Sequence, residues 1–126
     1  MPASVKDMLA AANAAVPKLS PIEAAEKMKS GNVLVLDVRD PTEVQQSGKL
    51  KGAVAVSRGM LEFRADPESP YHDPAFRKDA TVLVHCASGG RSALAGQTLK
   101  AMGYSDVYNI GGFKDLAATG IEIEKV

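Results

Sequence analysis

Two uninterrupted apolar stretches constrain this chain most, Val33-Leu34-Val35-Leu36 and Val82-Leu83-Val84. Each has strand length, is rich in β-branched residues and lacks polar alternation, the pattern of a strand covered on both faces. Helix start signals lie around them. Ser20-Pro21-Ile22-Glu23 and Asp40-Pro41-Thr42-Glu43 each place a capping side chain, a proline at the first helical position, and an acid that can reach back to the cap. The first predicts a helix to about Ser30 with Gly31 as its stop, the second a short helix ending near Gly48. Ala53 to Val56 and Asp106 to Ile110 read as further strands, and Lys18-Leu19 as a short edge strand. Ser92 to Met102 turns helical, with Ala95, Leu99 and Met102 on one face and Gly103 as its stop. Phe113 to Ala118 is a brief last helix leading to a polar tail. Strands alternating with helices imply right-handed crossovers. The predicted fold is a three-layer α/β domain, a mostly parallel five-stranded sheet with helices on both faces.

The 126 residues suffice for one domain. Residues 1–17 are predicted to form an amphipathic helix packed on that domain, capped by Ser4 and ended by Pro17. Val5, Met8, Leu9, Ala12 and Val16 share its apolar face. Residues 18–126 form the domain proper. Arg58 to Asp79 is broken by Pro67, Pro70 and Pro74. It reads either as a lid or as a plain surface insertion, with one or two helical turns near Gly59 to Phe63. Fifteen Lys plus Arg balance fifteen Asp plus Glu, which argues against bulk attraction to nucleic acid or an anionic membrane. A single cysteine cannot form an internal disulfide and suits a reducing compartment. No signal peptide or bilayer-length apolar segment is evident, so a cytoplasmic location is expected.

Chemistry concentrates in Cys86-Ala87-Ser88-Gly89-Gly90-Arg91-Ser92, which joins a buried strand to a helix. In parallel sheets, ligands sit beyond the carboxyl ends of the strands, which is where Cys86 and Asp37 fall. Inward-pointing amides and the positive end of a helix favour negative charge, so the cysteine is expected to ionise readily and the loop to bind an oxyanion. The amides of Ala87, Ser88, Gly89 and Gly90 are the expected cradle, Ser88 adds a hydroxyl, and Arg91 a fixed charge that can grip two oxygens. Such a site supports two reactions. A thiolate can take the outer sulfur of thiosulfate and become a persulfide, or it can attack phosphorus and become a phosphocysteine. A single added sulfur fits a smaller cradle than a phosphoryl group does.

The loop resembles the active-site loop of rhodanese-type sulfurtransferases, with four residues between cysteine and arginine; the related cysteine phosphatases typically have one more. Asp37-Val38-Arg39-Asp40-Pro41-Thr42-Glu43, followed by Gly48 to Ala53, resembles the family's upstream signature, and Tyr104 to Phe113 resembles its closing strand and Gly-Gly-Phe turn. The resemblance spans residues 18–123. It implies that Cys86 is the persulfide-forming nucleophile and Arg91 the charge on the substrate anion. It further implies that Asp37 and Arg39 are supports. Arg39 is expected to pair with Glu43 and so hold the loop geometry, and Arg58 to reach the pocket rim and bind thiosulfate. The implied partners are a small anionic sulfur donor and a thiol, cyanide or protein acceptor, with no cofactor. Lys49 and Leu116 depart from the family pattern, standing where histidine and tryptophan are common.

Plainer readings apply to the remaining candidates. A lone cysteine is most often a small buried hydrophobe, but the Gly-Gly-Arg context favours a reactive thiolate. His85 neighbours Cys86 on a strand and so faces away from the sulfur. His72 is expected to be solvated. Two histidines and one cysteine without ligand spacing argue against a metal site, and Asp37 reads as a hydrogen-bonded structural acid. A non-catalytic persulfide carrier or thiol sensor is the alternative from another class.

Overall fold

The computed structural model describes residues 2–126. Chain order gives helix α1 (Val5–Ala15), α2 (Pro21–Lys27), strand β1 (Val33–Asp37), α3 (Pro41–Ser47), β2 (Lys49–Leu50), β3 (Val54–Ala55) and, after a 3-10 turn at Arg58–Met60, α4 (Leu61–Ala65). Then come β4 (Thr81–Cys86), α5 (Gly90–Ala101), β5 (Val107–Gly112), α6 (Phe113–Ala118) and β6 (Ile123–Glu124). The helix starts follow the capping chemistry. Ser4 and Ser20 accept the N–H groups of Asp7 and Glu23, whose carboxylates return the bond, and Glu43 accepts the Asp40 N–H at 3.1 Å. α2 stops at Lys27, short of the predicted Ser30, in two successive turns that close onto Glu26 and Lys27 carbonyls.

The sheet has the order β3-β1-β4-β5, all parallel. It therefore has four strands rather than five. The expected edge strand at Lys18-Leu19 reduces to one parallel bridge, Lys18 to Asn109, because Pro17 supplies a carbonyl but no N–H to continue the ladder. Instead, the polar tail returns as β6, antiparallel to β2, with Lys49 bonded to Glu124 and to the Ala53 carbonyl. Two residues per strand are too few to leave a periodic signal.

Alternation along β4 divides the core. Val82, Val84 and Cys86 face α1, α4 and α5 with Leu36, Val16, Leu99 and Tyr104, whereas Leu83 faces α2 and α6 with Ile110, Leu50 and Leu116. α1 lies on α5, where Gly96 lets it approach: a Cβ there would come within 2.9 Å of Val16. Only the second half of the predicted apolar face of α1 is covered. Ala12 and Val16 are buried, while Val5 and Met8 are exposed. The segment after α4 is held to the core, with Phe76 buried edge-on to Tyr104 and the Tyr104 hydroxyl on the Ala65 carbonyl at 2.6 Å. His72 is half-buried and its Nε2 is enclosed without a hydrogen-bond partner, contrary to the expected solvation, because this segment folds back onto Arg64. No helix among the described residues is long and apolar enough to cross a membrane.

Candidate active site

Three features bring the cysteine loop to its shape. β4 ends at Cys86, Gly89 turns the chain at φ 103°, and α5 begins at Gly90. The left-handed turn requires a residue without Cβ. β5 closes the third side. A bulge shifts its register between Val84 and His85, so that Asn109 opposes Val84, Gly111 opposes His85, and Gly112 opposes Cys86. Gly112 lies so close beneath the loop that a Cβ would sit 2.5 Å from the Ala87 carbonyl oxygen.

Cys86 is 1% exposed, and its sulfur lies under the loop. The Gly89 N–H donates to Sγ at 3.0 Å, and the Ser92 hydroxyl lies 3.4 Å from it. Burial opposes ionisation of the thiol. The Ser92 hydroxyl and the N–H groups of Ser92, Ser88 and Gly89 outweigh burial and leave the group below its ordinary value. Of the four expected cradle residues, Gly89 supplies the direct bond at 3.0 Å, and the Ser88 N–H also favours the thiolate. The Ala87 carbonyl packs closely over Gly112, and Gly90 opens α5. The hydroxyl beside the sulfur belongs to Ser92, not Ser88, which is exposed at the loop tip.

Sequence reasoning missed both Ser92 and its partner Asn109. Ser92 is buried, its hydroxyl 2.8 Å from Asn109 Oδ1 and 3.1 Å from the Gly89 carbonyl, two alternative acceptors for one proton, while Asn109 Nδ2 donates to the same carbonyl at 3.1 Å. The available signal was a hydroxyl residue in the first turn of the helix that follows the loop; nothing in the sequence pointed to Asn109.

The charges pair differently from expectation. Arg91 makes a two-pronged bond to Glu43, 2.6 Å from Nη1 to Oε1 and 2.9 Å from Nη2 to Oε2, each side chain about one-third exposed. The Arg91 guanidinium holds Glu43 at about 2 despite its partial burial, and the carboxylate raises Arg91 in turn. Arg39 does not reach Glu43. Its buried guanidinium turns back onto Asp37, with Nη2 to Oδ2 at 2.7 Å, and also donates to Ser47 and the Gly48 carbonyl. The reason is burial: Asp37 is fully enclosed, and an enclosed carboxylate requires a cation at contact distance. Phe113 lies across Arg39, 4.1 Å from ring centroid to guanidinium carbon. His85 fills the space beside this pair, 3.8 Å from Asp37, and enclosure lowers its affinity for a proton, against the pull of Asp37.

Arg58 stands apart from the loop. It bonds Glu62 at 3.0 Å and Thr98 at 3.0 Å, and lines a hollow between α1 and α5. A different hollow, of about 270 Å³, borders the loop between Leu9, Lys18, Gly89, Gly90 and Asn109. The turn of chain after β3 therefore directs Arg58 toward α5, which removes it from the expected anion site. Among the described residues no cluster of His, Cys, Asp or Glu could hold a metal ion.

A parallel α/β domain with a glycine-rich cysteine loop between strand and helix is thus the class that the fold and site define. The model of the rhodanese-like domain matches residues 20–119, and the chain belongs to that family. It is 35% identical over 82 residues to thiosulfate sulfurtransferase PspE of Escherichia coli, covering 65% of this chain and 72% of that protein. It is also 35% identical over 99 residues to the tRNA uridine(34) hydroxylase of Chlamydia caviae, 75% of this chain but only 28% of that protein. A solved structure from Rhodopseudomonas palustris, described as a protein of unknown function and possible tyrosine phosphatase, superimposes with a TM-score of 0.89 at 39% identity. That match covers 98% of this chain and 96% of the other.

Proposed function

We propose that the protein is a sulfurtransferase that moves a sulfane sulfur from thiosulfate, or another sulfane donor, to a thiol or cyanide through a persulfide on Cys86. The observation that carries this reading is the Gly89 N–H aimed at Sγ from 3.0 Å, in a loop that favours the thiolate despite burial. The thiolate attacks the outer sulfur of the donor, a sulfur–sulfur bond forms, and sulfite leaves with the electrons of the bond that breaks. An acceptor thiolate or cyanide then attacks the outer persulfide sulfur and Cys86 departs as thiolate. Sγ is nearly enclosed, so in this reading the loop must move outward before the donor can reach it.

Arg91, held by Glu43 at the loop's end, is the cation nearest the incoming anion in this reading. Asp37 and Arg39 support the neighbouring strand end. A protein acceptor is compatible with the exposed tip at Ala87 and Ser88, and the unpaired cysteine suits the cytoplasm. Incubation with thiosulfate should add the mass of one sulfur to the intact protein, with sulfite released and thiocyanate formed when cyanide follows. Absence of the adduct with every sulfane donor tried removes the enzyme. Labelling only by an already persulfidated protein identifies a carrier. The phosphatase description of the R. palustris protein motivates a p-nitrophenyl phosphate assay. The four-residue spacing from Cys86 to Arg91 favours the smaller sulfur cargo, so no turnover is expected.

A further inference from the structure

The Gly89 carbonyl has three candidate donors within 3.1 Å: the Ala93 N–H that opens α5, Asn109 Nδ2, and the Ser92 hydroxyl. A carbonyl oxygen carries two lone pairs, so two N–H donors fill it. The Asn109 amide can adopt only one orientation. The Gly111 N–H, 3.0 Å from it, needs an acceptor, and the Gly89 carbonyl would repel an amide oxygen placed 3.1 Å away, so Oδ1 faces Gly111 and Ser92 while Nδ2 faces Gly89. Asn109 is itself 4% exposed, with water all but absent as a competitor.

We propose that Asn109 is a positioning residue for the nucleophile: by occupying the Gly89 carbonyl it keeps the Ser92 hydroxyl from settling there and leaves it free to donate to the Cys86 thiolate. A serine in the first turn of a helix ordinarily bonds the carbonyl three or four residues back. Here that acceptor is taken. In the thiol form the Ser92 hydroxyl rests on Asn109 Oδ1 and its oxygen accepts the S–H. When the proton leaves for solvent, the hydroxyl rotates to the sulfur, where a charge-assisted bond is stronger. Asn109 Oδ1 loses little, because the Gly111 N–H remains on it. The charged groups around Cys86 are constant in this exchange: Arg91 stays on Glu43, and His85 lies on the opposite face of β4.

The inference rests on Cys86 being the reactive sulfur of the proposed function, and its test needs no sulfur donor. The thiolate midpoint is read from absorbance at 240 nm and from iodoacetamide alkylation rates across pH, for wild type, Ser92→Ala, Asn109→Ala and the double variant. Ser92→Ala and Asn109→Ala should each raise the midpoint by about one unit, a roughly tenfold loss of thiolate well below it. The double variant should go no further than Ser92→Ala. A wild-type midpoint in Asn109→Ala, or shifts that add in the double variant, overturns the proposal. Should Asn109→Ala fail to fold, the wild type and Ser92→Ala suffice. The Gly111 amide proton should move downfield through the Cys86 titration in the wild type and stay in place in Ser92→Ala, and equal movement in both overturns it. Failure of the wild type to take sulfur from any donor, with these midpoints as expected, removes the transferase reading and keeps this one.

Discussion

The carboxyl ends of β1 and β4 lie side by side, pair residue for residue, and carry polar clusters of opposite character. At the end of β1 the Asp37 carboxylate is saturated: it accepts from the Arg39 backbone N–H and from Nε and Nη2, and the guanidinium also donates to Ser47 and the Gly48 carbonyl under Phe113. At the end of β4 the sulfur has one amide at 3.0 Å and a hydroxyl that two other acceptors also hold within 3.1 Å. One cluster has a single low-energy arrangement and the other has two. The difference teaches where to look for chemistry in a domain of this kind. A buried charge with every partner in place is architecture, whereas a buried nucleophile whose donors have an alternative is poised to change state.

The contrast can be broken from the reactive side first, where the largest effect is expected. Cys86→Ser should abolish the thiosulfate adduct and thiocyanate formation altogether while leaving the circular dichroism spectrum unchanged. Any residual transfer would place the nucleophile elsewhere. From the saturated side, Arg39→Ala leaves the enclosed Asp37 carboxylate unpaired and should cost about 3–5 kcal/mol of stability by urea denaturation. In the folded fraction, the Cys86 alkylation midpoint should stay near that of the wild type. A large shift in that midpoint would show that the two clusters are one.

Smaller effects sharpen the boundary between them. Gly112→Ala drives a methyl into the Ala87 carbonyl and should destabilise by roughly 1–3 kcal/mol. It should move the midpoint of Cys86 alkylation to higher pH as the loop amides are pushed off the sulfur, which a pH-rate profile would reveal. Glu43→Gln should cost less than about 1 kcal/mol, since the Arg91 pair is partly solvated and screened. Its signature is in acid. Because Arg91 depresses Glu43 from 4.5 to about 2, the pair stabilises the fold above pH 4.5 and that contribution fades as pH falls toward 2. Thermal melts across this range should drop further for wild type than for Glu43→Gln, and parallel curves would remove the pair from the stability of the loop.

Much of the architecture was legible because it rests on strong local signals. The buried runs at β1 and β4, the proline-led starts of α2 and α3, and Gly48 and Gly103 as helix stops depend on residues within one or two turns. The β2–β6 pairing was not legible, since Lys49–Leu50 and Ile123–Glu124 are two-residue strands brought together from 75 positions apart. In the site, the cysteine, the glycines and the following arginine were readable as a motif. The ion pairs were not: Arg39 had Asp37 and Glu43 within four residues, and only burial decides between them. Ser88 looked like the sulfur's hydroxyl neighbour because it is closer in sequence, but the left-handed turn at Gly89 carries its tip to solvent and brings the first turn of α5 over the sulfur. Asn109 could be found only after strand register was known.

The bulge in β5 has a consequence for the tolerance of this protein to change in length. Side chains alternate between two faces along a strand, and the extra residue at Ile110 resets that alternation between Asn109, which looks toward α5, and Gly112, which underlies the loop. Deleting one residue there would preserve composition, charge and nearly all of the apolar core, yet put Asn109 and Gly112 out of phase with each other. Point substitutions around the sulfur would then be the lesser hazard, and a one-codon slip in a neighbouring strand the greater.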